Sequence, residues 1–181
     1  MITKAQSLDN FIDKSLYEKN KGYYQRKMEF GRRGDFITSP GISKLFSEMI
    51  AIWVVSFWEN LNKPEKINLV ELGAGNGELI EVLINTLNKL EIVKDKFKFF
   101  IFEKSVSLKK LQKKKFSKSV KWLDNFDKLP NSPTIFLANE FFDALPIKQF
   151  IKINEEWYEN FVLLNKSGKF SLEKKKVNKK K

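Results

Sequence analysis

Three short stretches of this chain hold residues whose types and spacing could do chemistry. The first is Val70-Glu71-Leu72-Gly73-Ala74-Gly75-Asn76-Gly77-Glu78. An apolar run reaches an acid, three glycines alternate, and a helical pattern follows. Glycines so placed let the backbone turn sharply and approach a ligand with no Cβ in the way. The acid at the end of the run can hold a positively charged group. A dinucleotide fingerprint would need its third glycine at position 78, which is Glu78, and no phosphate-loop lysine follows. The plainer alternative is a glycine-rich turn with no ligand.

The second stretch is Phe102-Glu103, an acid at the end of another apolar run. An acid at that point of a doubly wound sheet can accept hydrogen bonds from two ribose hydroxyls; it could equally cap a helix starting near Ser105. The third is Asn139-Glu140-Phe141-Phe142-Asp143-Ala144-Leu145-Pro146. Ligands of open α/β sheets sit beyond the carboxyl ends of strands, so Asn139, Glu140 and Asp143 are expected to face the crevice of Gly73–Gly77. Two carboxylates three residues apart could share one side of a helical turn and orient a guanidinium by paired hydrogen bonds. Capping by Asn139 and Asp143 is the alternative. Asp124, after a third apolar run, reads equally as a turn residue. Taken by itself, Gly31–Pro40 is a glycine-rich loop with a possible cap at Ser39.

The absence of any His or Cys removes much other chemistry. A Ser-His-Asp triad, a cysteine nucleophile, a disulfide framework and a Cys/His zinc site are all excluded within these residues, and no metal is expected.

The elements that must position these groups follow from periodicity. Apolar residues at Leu8, Phe11, Ile12 and Leu16 predict a helix over 8–19. A long helix is expected over 42–61, entered after Pro40 and, being apolar on most faces, largely buried. Then strands (67–72, 97–102, 120–123, 134–138) alternate with helices (78–90, 106–116). Near-continuous apolar strands of this kind are those of parallel sheets covered on both faces. Past Pro146, the stretches 149–153, 157–164 and 169–172 predict antiparallel strands joined by Asn154-Glu155 and Ser167-Gly168 turns. The expected division is 1–62 as N-terminal helices and loop packing on the core, 63–147 as the α/β core, 148–173 as a meander and 174–181 as a Lys-rich tail.

A net charge of +12 suggests nucleic acid, but its distribution argues against it. Two segments, Lys104–Lys121 and Asn165–Lys181, carry eight Lys each and a single acid between them, so the rest of the chain is slightly acidic. Lys outnumbers Arg 31 to 3, and Arg is the better reader of phosphates and bases. The longest apolar run, Met49–Trp58, is too short for a bilayer, which needs ~20 residues. Early acids and no Arg before Arg26 argue against a transit peptide. The expected location is the cytoplasm of a bacterium, or the mitochondrial matrix in a eukaryote.

The acid and alternating glycines at Glu71–Gly77 resemble motif I of class I methyltransferases, which wraps S-adenosylmethionine. Further stretches extend the resemblance: Gly22-Tyr23-Tyr24, Gly31-Arg32-Arg33-Gly34-Asp35-Phe36-Ile37-Thr38-Ser39-Pro40, Phe46-Ser47-Glu48, Asn139–Pro146 and Gln149-Phe150. Together these resemble the MidA-like family of protein-arginine methyltransferases, whose mitochondrial members help assemble respiratory complex I. The resemblance covers most of residues 8–172. It implies a Rossmann-like class I fold, S-adenosyl-L-methionine as cofactor, and an arginine-containing protein substrate, of complex I subunit type in mitochondria. It implies that Gly34, Thr38 and Pro40 join Glu71, Gly73, Gly75, Gly77, Glu103 and Asn139 at the cofactor, with Asp124 near the adenine amine. Glu140, Asp143 and Asp35 are the implied catalytic residues. Ala74, Asn76 and Ser47 depart from the family's pattern. The later strands of a class I sheet are not in this sequence, so an incomplete sheet and weak or no activity are expected of the chain alone. A catalytically inactive fragment, or an assembly module retaining the fold, is the alternative reading.

Overall fold

The computed structural model describes residues 5–25, 39–116, 118–165 and 167–177. In chain order the elements are β1 (Gln6–Ser7), α1 (Leu8–Tyr17), α2 (Ser39–Ile42), α3 (Lys44–Asn60), β2 (Ile67–Leu72), α4 (Glu78–Leu87), β3 (Phe97–Phe102), α5 (Val106–Phe116), β4 (Val120–Leu123), β5 (Thr134–Leu137), β6 (Phe150–Ile153), β7 (Glu156–Leu164) and β8 (Phe170–Lys176). They form two compact units, Lys27–Phe142 and the combination of Met1–Arg26 with Asp143–Lys181.

The Lys27–Phe142 unit is built on a parallel sheet in the order β4-β3-β2-β5. The chain moves outward from β2 to β3 to β4, then returns to the other side of β2 for β5. That reversal puts a topological switch point between the carboxyl ends of β2 and β5, where open α/β sheets bind ligands. Asn68 helps seat β5: its buried Nδ2 donates to the Pro130 carbonyl at 3.0 Å and to Thr134 Oγ1 at 3.1 Å.

Strand alternation divides the apolar side chains. Ile67, Leu69, Phe99, Ile101, Ile135 and Leu137 pack with Ala51, Val54 and Trp58 of α3, the Leu79–Leu87 stripe of α4, and Phe116 of α5. On the other face Val70, Phe100 and Leu123 pack with Leu72, Phe102 and Leu129.

The helix expected over 42–61 is present as α3, Lys44–Asn60. Ser43 is extended (φ −145°, ψ 121°) and separates it from α2. But α3 is not largely buried, as its composition suggests. Only the stripe Ser47, Ala51, Val54 and Trp58 is buried, while Leu45 is 64% exposed and Met49 59%. Burying a helix apolar on most faces needs neighbours on several sides. Within this unit the helices packed on α3 are α2 and α4. Helix α4 stops at Leu87 instead of 90, because Lys89 and Leu90 bond back three residues to Thr86 and Leu87.

The other unit is an antiparallel sheet. One edge of β7 pairs with β8, and the other is shared by β6 (at Glu156–Glu159) and β1 (at Phe161–Val162). The β6–β7 hairpin turns at Asn154-Glu155, both at positive φ (46° and 63°), as a two-residue turn of type I′ requires. The edge strand β8 runs on through Lys174–Lys176, past the point where apolar alternation ends, and lysines suit an edge that must not pair further. At the second turn Asn165 Oδ1 accepts from Ser167 N (3.1 Å), Ser167 Oγ (2.7 Å) and Lys169 N (2.8 Å). Asn165→Ala is therefore expected to cost about 1 kcal/mol, read as a lower midpoint in urea at unchanged slope.

Candidate functional site

The loop after β2 is built from left-handed glycines. Gly73 (φ 68°) and Gly77 (φ 82°) occupy backbone conformations that L side chains rarely adopt. Space is short there too. A Cβ on Gly73 would lie 2.7 Å from Phe141 Cδ2, and one on Gly77 would lie 2.4 Å from Phe116 Cε2. The Gly73 amide donates to the Phe102 carbonyl at 2.9 Å, which joins the loop to the end of β3. Gly77 opens α4; Asn76 Oδ1 accepts from the Glu78 amide at 3.2 Å, and Glu78 and Glu81 place negative charge at the helix's positive end.

Two acids end the central strands. Glu71 is 3% exposed. Burial pushes its carboxyl up to about 8; the Ile80 amide opposes this and the nearby Glu103 charge adds to it. Its Oε2 is buried with no hydrogen-bond partner. A buried, unpartnered carboxyl oxygen costs free energy unless something fills its place. A cationic or hydrogen-bond-donating ligand group would do so. Glu103 is 9% exposed, and burial raises its pKa also, opposed by its hydrogen bonds. Its Oε1 accepts from the Ser105 amide at 2.8 Å and its Oε2 from Gln112 Nε2 at 3.2 Å. Ser105 itself caps α5, its Oγ accepting from the Leu108 amide at 3.3 Å. Glu103 thus makes the contact near Ser105 that the capping alternative anticipates and stays within reach of the same loop.

The remaining expected residues are less closely gathered. Asp124 is exposed, and its Oδ1 pairs with Lys109 Nζ at 2.9 Å, which holds its carboxyl below the usual range. Asn139 is half-buried and Glu140 exposed, directly beyond β5. Glu140 sits at φ 50°, so the helical turn expected to carry it is not formed there; a short 3-10 turn starts only at Phe142. Backbone strain of this kind costs about 1–3 kcal/mol and concentrates at functional sites. Asp143 is exposed and belongs to the other unit. Pro40 is half-buried in α2, while Gly34, Asp35 and Thr38 lie outside the described residues.

Sequence reasoning missed Gln112, Phe116, Trp122 and Phe141. One signal could have found the first. On the Lys-rich α5 the buried residues are Leu108, Gln112 and Phe116, spaced four apart, and Gln112 is the one polar residue of that stripe.

Among the described residues no group of three or more His, Cys, Asp or Glu could hold a metal ion. No described helix is long and apolar enough to cross a membrane. A close-approach backbone loop and two buried carboxyls at a topological switch point suit an organic ligand carrying a positive charge and hydroxyls.

Residues 49–181 match the sequence profile of a family described as "Putative S-adenosyl-L-methionine-dependent methyltransferase". The Xenopus laevis protein named "Protein arginine methyltransferase NDUFAF7, mitochondrial" is 30% identical over 86% of this chain and 41% of its own length. The Caenorhabditis elegans homolog bearing that name is 33% identical over 97% of this chain and 46% of its own. A Burkholderia thailandensis protein, crystallised with S-adenosyl-homocysteine bound, superposes with a TM-score of 0.79 at 25% identity, over 97% of this chain and 47% of that one. The chain therefore spans less than half the length of these relatives.

Proposed function

The chain belongs to this family of S-adenosyl-L-methionine-dependent methyltransferases, and from that we propose that residues 67–142 bind the cofactor and that the chain serves the methylation of arginine on a partner protein. The observation that carries the reading is the orphaned Glu71 Oε2 beside a left-handed glycine loop at the switch point. Glu71 would meet the positive charge at the methionine end, and the Gly73–Gly77 backbone would lie along it without a Cβ between. Glu103 would accept from the ribose hydroxyls with the lone pairs its present partners leave. Asp124 would sit near the adenine amine, with Gly34, Thr38, Pro40 and Asn139 completing the cofactor shell. Glu140 would hold the guanidinium of the incoming arginine and keep its nitrogen in line; Asp143 and Asp35 are proposed as catalytic from the family resemblance alone.

When bound, the cofactor supplies an electrophilic methyl group on a sulfonium. Transfer from such a group is a displacement that needs alignment more than strong acid–base help, so carboxylates that orient a guanidinium are suitable partners. The substrate class rests on relatives named protein arginine methyltransferases. Their names also support a mitochondrial location for a eukaryotic source; a bacterial source would place it in the cytoplasm. Residues 63–147 are the proposed cofactor core, flanked by 1–62 and by the meander 148–173.

The test uses methyl-tritiated S-adenosylmethionine, an arginine-containing protein acceptor and acid hydrolysis. Labelled methylarginine is the expected product, in low yield from the chain alone. Cofactor binding without labelled arginine would remove the transferase part and leave an assembly module. In the same system Glu103→Ala is expected to weaken cofactor affinity about tenfold or more, since hydrogen bonds to charged groups contribute ~1.5–3 kcal/mol. An affinity within about twofold of the wild type would take Glu103 out of the site.

A further inference from the structure

Helix α5 turns one polar residue inward. Gln112 is fully buried, 0% exposed, and its amide is engaged at both ends. Its Nε2 donates to the Gly75 carbonyl at 2.8 Å and to Glu103 Oε2 at 3.2 Å, while its Oε1 accepts from the Trp122 indole at 3.0 Å. The orientation of the amide is set by chemistry. An indole N–H can only donate and a backbone carbonyl can only accept, so Nε2 must face Gly75. One side chain therefore joins the loop after β2, the acid after β3 and the interior of β4. One helical turn further along α5, Phe116 lies against the place a Gly77 Cβ would occupy. The helix bears on the glycine loop at two points.

A Met or Leu would fill the same volume with no amide to bury. Burying an amide costs about 1–3 kcal/mol unless its hydrogen bonds are made. Here two of the three bonds go to the glycine loop and the acid rather than to packing neighbours, and such networks fix a single arrangement.

We propose that Gln112 is the positioning residue of the cofactor site, holding the Glu103 carboxylate and the Gly75 carbonyl at one spacing so that both ends of the nucleoside–amino-acid ligand meet preset partners. The proposal rests on the reading of residues 67–142 as the S-adenosylmethionine site. Gln112 need not touch the ligand; it acts through Glu103 and Gly75.

The experiment uses the 181-residue chain and two readouts. S-adenosyl-homocysteine is titrated by calorimetry, and amide hydrogen exchange is followed without ligand. Gln112→Met keeps the size and removes both donors. Its affinity is expected to fall about tenfold, and the Gly73 and Gly77 amides to exchange about tenfold faster, while Ile67–Val70 of β2 keep their rates. In a Glu103→Ala background the same change should cost less than about threefold, because the two residues act as one unit. Gln112→Glu, a second variant of the same size, should lose affinity more steeply as pH rises, since two facing carboxylates then repel.

Wild-type affinity in Gln112→Met, additive losses in the double variant, or a flat pH dependence in Gln112→Glu would each overturn the proposal. If the wild type does not bind the ligand but loop exchange accelerates in Gln112→Met, the cofactor reading fails and the positioning role stands. If neither binding nor exchange responds, both fall.

Discussion

Gly77→Ala is expected to destabilise the chain by about 2–4 kcal/mol and to abolish cofactor binding. Two separate terms combine. A non-glycine residue at φ 82° bears a backbone penalty of about 1 kcal/mol. The added Cβ would also lie 2.4 Å from Phe116 Cε2 and 2.8 Å from Cζ, and Phe116 is only 6% exposed within the main core. A ring so enclosed cannot step aside without disturbing its neighbours, and overpacking a dense core costs about 1–3 kcal/mol. The loop must shift instead, which moves Gly75 away from Gln112. Gly168→Ala is the control: its φ is 77°, yet nothing lies within 4 Å of the added Cβ. It is expected to cost only the backbone term, about 1 kcal/mol, and to leave binding alone. Urea denaturation of the two variants separates the terms; equal midpoints would show that the Phe116 contact does not matter.

A large effect is expected from pH. The folded Glu71 carboxyl titrates near 8, against an ordinary value of 4.5. Between those values the folded chain holds a proton that the unfolded chain has lost. The stability tied to that proton is fully present below about 4.5 and is lost as pH rises through about 8. The span corresponds to a few kcal/mol at most, roughly 1.4 kcal/mol for each pH unit. Glu103, also raised by burial, acts in the same direction. The lowered carboxyls of Asp9, Asp124 and Glu156 act oppositely, and only at acid pH, below their ordinary range. Glu71→Gln keeps the shape and removes the titration. It is expected to flatten stability between about pH 5 and about pH 9, and to be more stable than the wild type by a few kcal/mol at the alkaline end. Guanidinium denaturation at the two ends checks this, and an unchanged slope in the variant would rule Glu71 out as its source.

The same acid connects stability to ligand binding. A positive charge placed beside Glu71 Oε2 favours the ionised carboxyl and lowers its pKa. Binding near neutral pH should then release a proton, visible as a heat that depends on the buffer's ionisation enthalpy.

Much of the central unit was legible because buried parallel strands leave a strong mark. The runs Ile67–Leu72, Phe97–Phe102 and Val120–Leu123 are apolar enough, and sharply enough ended, that strands fall where the pattern puts them, and α5 likewise spans Val106–Phe116. Glu71 and the three glycines stood out for the same reason: an acid and glycines directly after an apolar run have few purely structural uses. What stayed hidden depends on pairing between distant positions. Gln112 meets Gly75 across 37 residues, and no periodicity announces such a bond. The pairing of Gln6–Ser7 with β7 is more distant still and as silent, since two residues carry no alternation. The exposure of Leu45 and Met49 was misread because composition reports how apolar a helix is, and not how many neighbours reach it. Glu140 left no signal for its left-handed backbone, because Glu seldom adopts it.

Residues 67–142 are proposed to carry a cofactor site that works through Glu71, Glu103 and the glycine loop. The most direct measurement is a calorimetric titration of the 181-residue chain with S-adenosyl-homocysteine near neutral pH, in two buffers of different ionisation enthalpy. Saturable one-to-one binding is expected, with a buffer-dependent heat that reports proton release and disappears in Glu71→Gln. No binding heat, together with no shift in unfolding temperature at high ligand concentration, would contradict it.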